Sequence, residues 1–173
     1  MLTPTLKQPS DLFNKLRREQ HRAFHAQHPT HVADHLYNFC VTTLALRDHV
    51  FQALELDNKA QAGFHQLWNA SPVRVACREI ANTAKHKVLD KDPKTKAAVQ
   101  TYSSVAAIYQ AADGSLATQI ERRPTIMVLL SDSTTVDVFE LTRDVLDFWL
   151  DYLPAHSLPI EAQSEAEFLG TQP

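Results

Sequence analysis

Arg78, Asn82 and His86 stand at i, i+4 and i+8 in a stretch, SPVRVACREIANTAKHKVL (residues 71–89), that reads as one helix. At about 100° per residue they drift by about 80° in all, so they share a face opposite Val73, Ala76, Cys77, Ile80, Ala84 and Val88. Lys85 stands beside them. Such a set suits phosphate: cations hold the charge, an imidazole moves a proton near neutrality, and an amide orients it. A merely solvated face would use Glu, Lys and Gln, because Asn is a poor helix-interior residue. Against this, the outer face of any amphipathic helix is polar. Arg78 and His86 are therefore candidate catalytic residues, and Asn82 and Lys85 candidate binding residues.

A second polar set lies upstream. From Thr30 to about Leu56 the chain is apolar around most of a helical circumference, which marks a central helix. His31, His35, Asn38, Thr42 and His49 still fall on one narrow stripe. Arg47 stands apart, amid Cys40, Leu44, Phe51 and Leu54, and must be paired or snorkel outward, because an unpaired buried charge is costly. His35 and Arg47 join the candidate binding residues. These groups could also form a buried hydrogen-bond network with Asn82 and His86, since buried histidine and asparagine are usually satisfied internally. His21, His25, His28, His31 and His35 have spacings of 4, 3, 3 and 4. Pairs at i, i+4 can chelate zinc or nickel, but no Cys or carboxylate completes a set and Pro29 interrupts the run. No metal site and no cofactor are expected.

Other templates are missing. GxGxxG, GxxxxGK[ST], GxSxG, HExxH and CxxC do not occur, and three glycines leave no phosphate-cradling loop. Ser103-Ser104 has no base nearby in sequence. Cys40 and Cys77 sit in apolar helical patterns and read as buried thiols of a reducing compartment. MLTPTLKQPSDLF lacks an apolar signal core, and no apolar run approaches membrane-span length, so a cytoplasmic protein with no membrane contact is expected.

The elements that must position these residues are mostly helical. Ser10 or Asp11 can cap a first helix, Leu12 to about Gln27, broken by Pro29. A short helix, Ala60–Trp68, precedes Ser71 as N-cap and Pro72 at the first helical position. After the charged loop DKDPKTK (90–96), β-formers take over. Thr101–Ala112, the turn signal Asp113-Gly114, Leu116–Glu121, Thr125–Leu130 and Thr134–Phe139 read as three or four antiparallel strands. A last helix, about 140–153, buries Leu141, Val145, Phe148, Trp149 and Tyr152, and Pro154 stops it. The expected fold class is α+β, mainly α: a bundle of four to five helices with a small antiparallel sheet inserted before the last helix. One domain spans 1–154 (helices about 11–89, strands about 101–139), followed by a flexible acidic tail, 155–173.

The net charge of −3 hides an asymmetry. Residues 1–98 hold 14 Lys and Arg against 9 Asp and Glu, whereas residues 99–173 hold 3 against 11. The basic half could meet phosphate, or the halves could attract each other within the fold.

A helical bundle whose late helix carries Arg, a polar residue and then His resembles the HEPN superfamily. The match is Arg78-Glu-Ile-Ala-Asn-Thr-Ala-Lys-His86, with seven residues intervening where the family's motif has four to six. The resemblance covers residues 11–90. HLYNFCVTTLALRDHVF and REIANTAKH are also similar to an uncharacterised bacterial protein family, which supplies no activity. The HEPN resemblance implies RNA or phosphate binding, or metal-independent RNA cleavage by a dimer. His86 would act as general base or acid, Arg78 and Lys85 would stabilise phosphate charge, and Asn82 would orient His86 or the substrate. The residues by themselves equally allow a non-enzymatic interaction module, with a protein partner or as a homodimer, whose polar groups serve an internal network.

Overall fold

The computed structural model describes residues 6–83, 95, 97–110 and 114–160. The elements are α1 (Pro9–His25), α2 (Pro29–Ala53), α3 (Asn58–Asn69), α4 (Pro72–Thr83), β1 (Ala97–Gln110), β2 (Leu116–Leu129), β3 (Thr135–Asp137) and α5 (Val138–Ala155). The class is α+β, mainly α, with a three-stranded antiparallel sheet before the last helix. No helix among the described residues is long and apolar enough to cross a membrane.

Two prolines expected to end helices lie within them, and a third, Pro9, opens a helix three residues before the start expected at Leu12. Pro9 is the first residue of α1, where Asp11 Oδ2 accepts the N–H groups of Lys7 (2.8 Å) and Gln8 (3.0 Å). Pro29 likewise opens α2, capped by His28, whose Nδ1 accepts the Thr30 N–H at 3.3 Å. Proline suits this first position because its missing N–H has no intrahelical partner anyway. Pro154 sits inside the last turn of α5. Beyond it, Leu158 and Ile160 pack against the core. The packed chain therefore continues past the boundary expected at 154. Residues 161–173 lie outside the described residues, as do 84–89 of the helix expected to reach Leu89.

α2 is the central element. It buries Val32, Leu36, Phe39, Cys40, Leu46 and Val50 against Leu12, Phe13 and Leu16 of α1 and Leu141, Val145, Trp149 and Leu153 of α5. α4 lays the small residues Ala76, Cys77 and Ala81 into the same core. Both cysteines are free thiols. Burial pushes the Cys40 thiol well up, and a hydrogen bond with the Cys77 side chain adds to this. A thiol raised in the folded state is protonated there while its unfolded counterpart ionises. Stability is thus unaffected below the ordinary thiol value and declines above about pH 8.5, by at most about 1.4 kcal/mol per pH unit for this group. Urea midpoints across that window check the slope. Ellman's reagent is expected to leave both thiols intact in native buffer and to titrate them in denaturant.

The sheet is simpler than expected. Leu116–Glu121 and Thr125–Leu130 form one strand, β2, which pairs with β1 in unbroken register from Ala97↔Leu129 to Gln110↔Leu116. Pro124 lies in mid-strand, opposite Tyr102. β3 pairs only with Met127–Leu129, so no ladder partner on that edge needs a donor at 124. At 14 residues the hairpin is about 45 Å long. Its inner end is anchored by buried Thr125, Ile126 and Val128, while residues 116–120 are exposed.

Candidate functional site

Two of the candidate residues meet where α2, α3 and α4 converge. Arg47 and Arg78 line a crevice together with Thr43, Leu44, His65 and Trp68. Its volume, about 10 Å³, is at the lower limit for a single water molecule. α3 brings His65 there because Phe64 and Trp68, on either side of it in the chain, are buried in the core.

Both guanidiniums are engaged within the chain. Arg47 Nε and Nη2 donate to Asp48 Oδ1 at 2.8 and 2.6 Å, and its Cζ lies 5.8 Å from the Phe51 ring centre. The arginine that the apolar pattern left stranded is therefore paired. Arg78 Nη1 donates to Asn69 Oδ1 at 2.6 Å, tying α4 to the C-terminal end of α3. One turn before Arg78, Arg74 donates to the carbonyls of Trp68 (3.4 Å) and Leu67 (3.3 Å) and stacks over Phe148 at 4.7 Å. A cation at the C-terminal end of a helix complements its unsatisfied carbonyls. Burial lowers the pKa of His65, and the charges of Arg47 and then Arg78 lower it further against the opposing pull of Asp48. The junction thus gathers two permanent cations beside a histidine held toward its neutral form.

Asn82 is half-buried one turn beyond Arg78 on α4. Lys85 and His86 lie outside the described residues. His35 is elsewhere. It sits 12 residues before Arg47 on α2, about 18 Å along the helix axis. There its Nδ1 is 2.9 Å from Oε2 of Glu19 on α1.

Glu19 is the centre of the second polar cluster, and the sequence reading missed it. Its side chain is only 5% exposed. Oε1 accepts from Arg22 Nη1 at 3.0 Å and lies 3.8 Å from Lys15 Nζ, which donates to Thr42 of α2 at 2.5 Å. Burial, opposed by the charge of Glu19, lowers the pKa of Lys15. The signal was present: Leu12, Leu16, Glu19 and Ala23 follow the 4, 3, 4 spacing of a buried stripe, with a carboxylate in an apolar place. His65 offered no comparable signal.

The histidine series does not assemble. His21 and His25 rings lie 4.2 Å apart and His28 and His31 rings 5.7 Å apart. Among the described residues no group of three His, Cys, Asp or Glu is placed to hold a metal ion. A far larger cavity among the described residues, about 620 Å³, shares no lining residue with the arginine junction. It is a groove between α1 and α5, floored by Phe13, Phe24, Leu146 and Leu150, with Arg17 and Arg143 at its rim. Compared with known proteins, the chain matches no family model, no curated protein and no solved structure.

Proposed function

We propose that the protein is a non-enzymatic interaction module whose polar helix residues serve an internal network. The observation that carries this is that three of the candidate residues already have partners within the chain: His35 on Glu19, Arg47 on Asp48, Arg78 on Asn69. The crevice between the arginines is too small for a substrate group. Of these, His35–Glu19 joins α2 to α1 and Arg78–Asn69 joins α4 to α3, ties between helices that need no chemistry, whereas Arg47 and Asp48 are neighbours on α2.

One observation favours a second reading, the HEPN-like RNA or phosphate binder. Arg47, His65 and Arg78 converge with Asp48 as the acidic group among them, an arrangement that suits an incoming phosphate. Cleavage would further require His86, with Lys85 and Asn82 in support. A fluorescent single-stranded RNA separates the two. The interaction-module reading expects RNA left intact in metal-free buffer, and weak anisotropy changes that Arg78→Gln shifts by less than twofold. Loss of affinity by about tenfold in Arg78→Gln, with a shallower salt dependence, would establish phosphate contact instead. Cleavage abolished by His86→Ala would establish the nuclease.

A further inference from the structure

Cys40 and Cys77 are the only cysteines of the chain, and the fold brings them together. Cys40 lies in the middle of α2, and Cys77 lies on α4, which packs directly on α2. Both are fully buried in one core, and a hydrogen bond joins the two thiol groups. Beside Cys77, α4 turns the small residues Ala76 and Ala81 into that core. Small side chains at a contact let two helix axes approach closely. Close approach is what a disulfide requires, with Cα atoms about 4.4–6.8 Å apart.

The pair also adjoins the arginine crevice. Thr43, Leu44 and Arg47 follow Cys40 at i+3, i+4 and i+7, so they share its face of α2, and all three line the crevice. Arg78, which lines it from α4, is the next residue after Cys77. A bond between the thiols would fix the spacing of α2 and α4 where Arg47 and Arg78 meet.

We propose that Cys40 and Cys77 form a redox-responsive disulfide, open in the resting protein and closed by hydrogen peroxide, that latches α4 onto α2 beside the arginine crevice. The thiols together give up two hydrogens and two electrons, and the O–O bond of the peroxide takes them up. One sulfur, as thiolate, attacks a peroxide oxygen and becomes a sulfenic acid, with release of one water. The other sulfur attacks the sulfenic sulfur, the S–S bond forms, and the hydroxyl leaves as the second water. Burial makes the latch slow. Cys40 is held protonated and is a poor nucleophile, so the reaction proceeds through local openings in which α4 lifts from α2. The latch therefore answers sustained oxidant, not a brief pulse.

Treating the full chain with hydrogen peroxide in native buffer tests this. Afterwards, the denatured protein is expected to show no thiol that Ellman's reagent can titrate. Peptide mapping is expected to find Cys40 joined to Cys77 within one chain, about 2 Da lighter than the two thiol peptides together, and dithiothreitol is expected to reverse both changes. The bond closes a loop from α2 through α3 to α4, and is expected to raise Tm by about 10 °C. Amide exchange in α4 is expected to slow by about tenfold or more. Cys40→Ala and Cys77→Ala are each expected to abolish the peroxide-dependent rise in Tm, and the thiol count and peptide map of the parent decide the matter without either variant. Two thiols that still titrate after hours in excess peroxide overturn the proposal. So does oxygen added at Cys40 or Cys77 without the S–S bond, a disulfide between chains, or a Tm that does not rise when the bond forms. None of these outcomes touches the interaction-module reading, which the RNA experiment tests separately.

Discussion

Trp149→Ala is expected to destabilise the fold by about 3–5 kcal/mol, the usual range for deleting a fully buried tryptophan or phenylalanine side chain. Trp149 is completely buried on the inner face of α5. Its ring lies 5.7 Å from Phe64, 5.9 Å from Trp68, 5.3 Å from Phe148 and 5.9 Å from Tyr152, centre to centre. It thereby joins α3 to α5. At this chain length the loss corresponds to a fall in Tm of order 10 °C. Trp149→Phe separates two opposing terms. The indole Nε1 is buried and has no hydrogen-bond partner among the described residues. A buried unsatisfied donor costs about 1–3 kcal/mol, so removing the N–H offsets part of the ring area lost. Trp149→Phe is therefore expected to cost less than half as much as Trp149→Ala. Urea unfolding followed by circular dichroism measures both. If Trp149→Phe costs as much as Trp149→Ala, the donor is satisfied and the account of the cluster is wrong.

The aromatic cluster also shows what was legible in the sequence. Phe64, Leu67, Trp68, Phe148, Trp149 and Tyr152 announce themselves as anchors by type and helical spacing; the structure buries Phe64, Trp68, Trp149 and Tyr152 but leaves Leu67 56% exposed, because it lies on the outer side of α3. The central role of α2 followed from apolar residues all round its circumference, and α2 does touch several neighbours. Helix starts were less legible, because Pro9 and Pro29 have two opposite uses. Proline ends the helix before it and opens the helix that contains it, and local sequence does not say which applies. The Arg122-Arg123-Pro124 segment looked like an interruption between strands. What makes it continuous is non-local: Tyr102 stands opposite Pro124, and Arg123 is held by Glu121 at 2.6 Å and by the Phe24 ring at 4.6 Å. The candidate site divides in the same way. Arg47 could be read as a charge needing a partner, from its apolar neighbours alone. That Arg78 and His65 share its crevice depends on how α3 and α4 fold back, and no spacing within α2 encodes this. His35 was legible as polar and was read as a possible network partner of Asn82 and His86, whereas it meets Glu19 of α1, because a stripe on one long helix says nothing about which helix covers each part of it.

Glu19→Ala tests the part of that stripe the sequence concealed, and is expected to cost about 2–3 kcal/mol. The three partners around the carboxylate do not contribute equally. Arg22 is 54% exposed, and its pair with Glu19 is screened by water and contributes little. Lys15 and His35 are 30% and 27% exposed, and the His35 contact, at 2.9 Å, joins α1 to α2. Removing Glu19 leaves Lys15 partly buried among Arg18 and Arg22 without the charge that opposes its desolvation. Removing His35 alone leaves Glu19 with Lys15 and Arg22, so His35→Ala is expected to cost less, about 1 kcal/mol. The double variant Glu19→Ala/His35→Ala is expected to be less destabilised than the sum of the two, by at least about 0.5 kcal/mol, because each single change already removes the shared contact. Glu19→Leu combined with Lys15→Met and His35→Leu is expected to recover most of the loss, since apolar residues of similar volume replace buried ionic groups at little or no cost. Urea midpoints of the five chains measure the cycle, and strict additivity would mean that Glu19 and His35 are not coupled. The expected pattern fixes what the cluster is for. Its cost is conformational: α1 carries Arg17, Gln20 and Phe24 into the α1–α5 groove, and the Glu19 cluster sets the register in which α1 presents them.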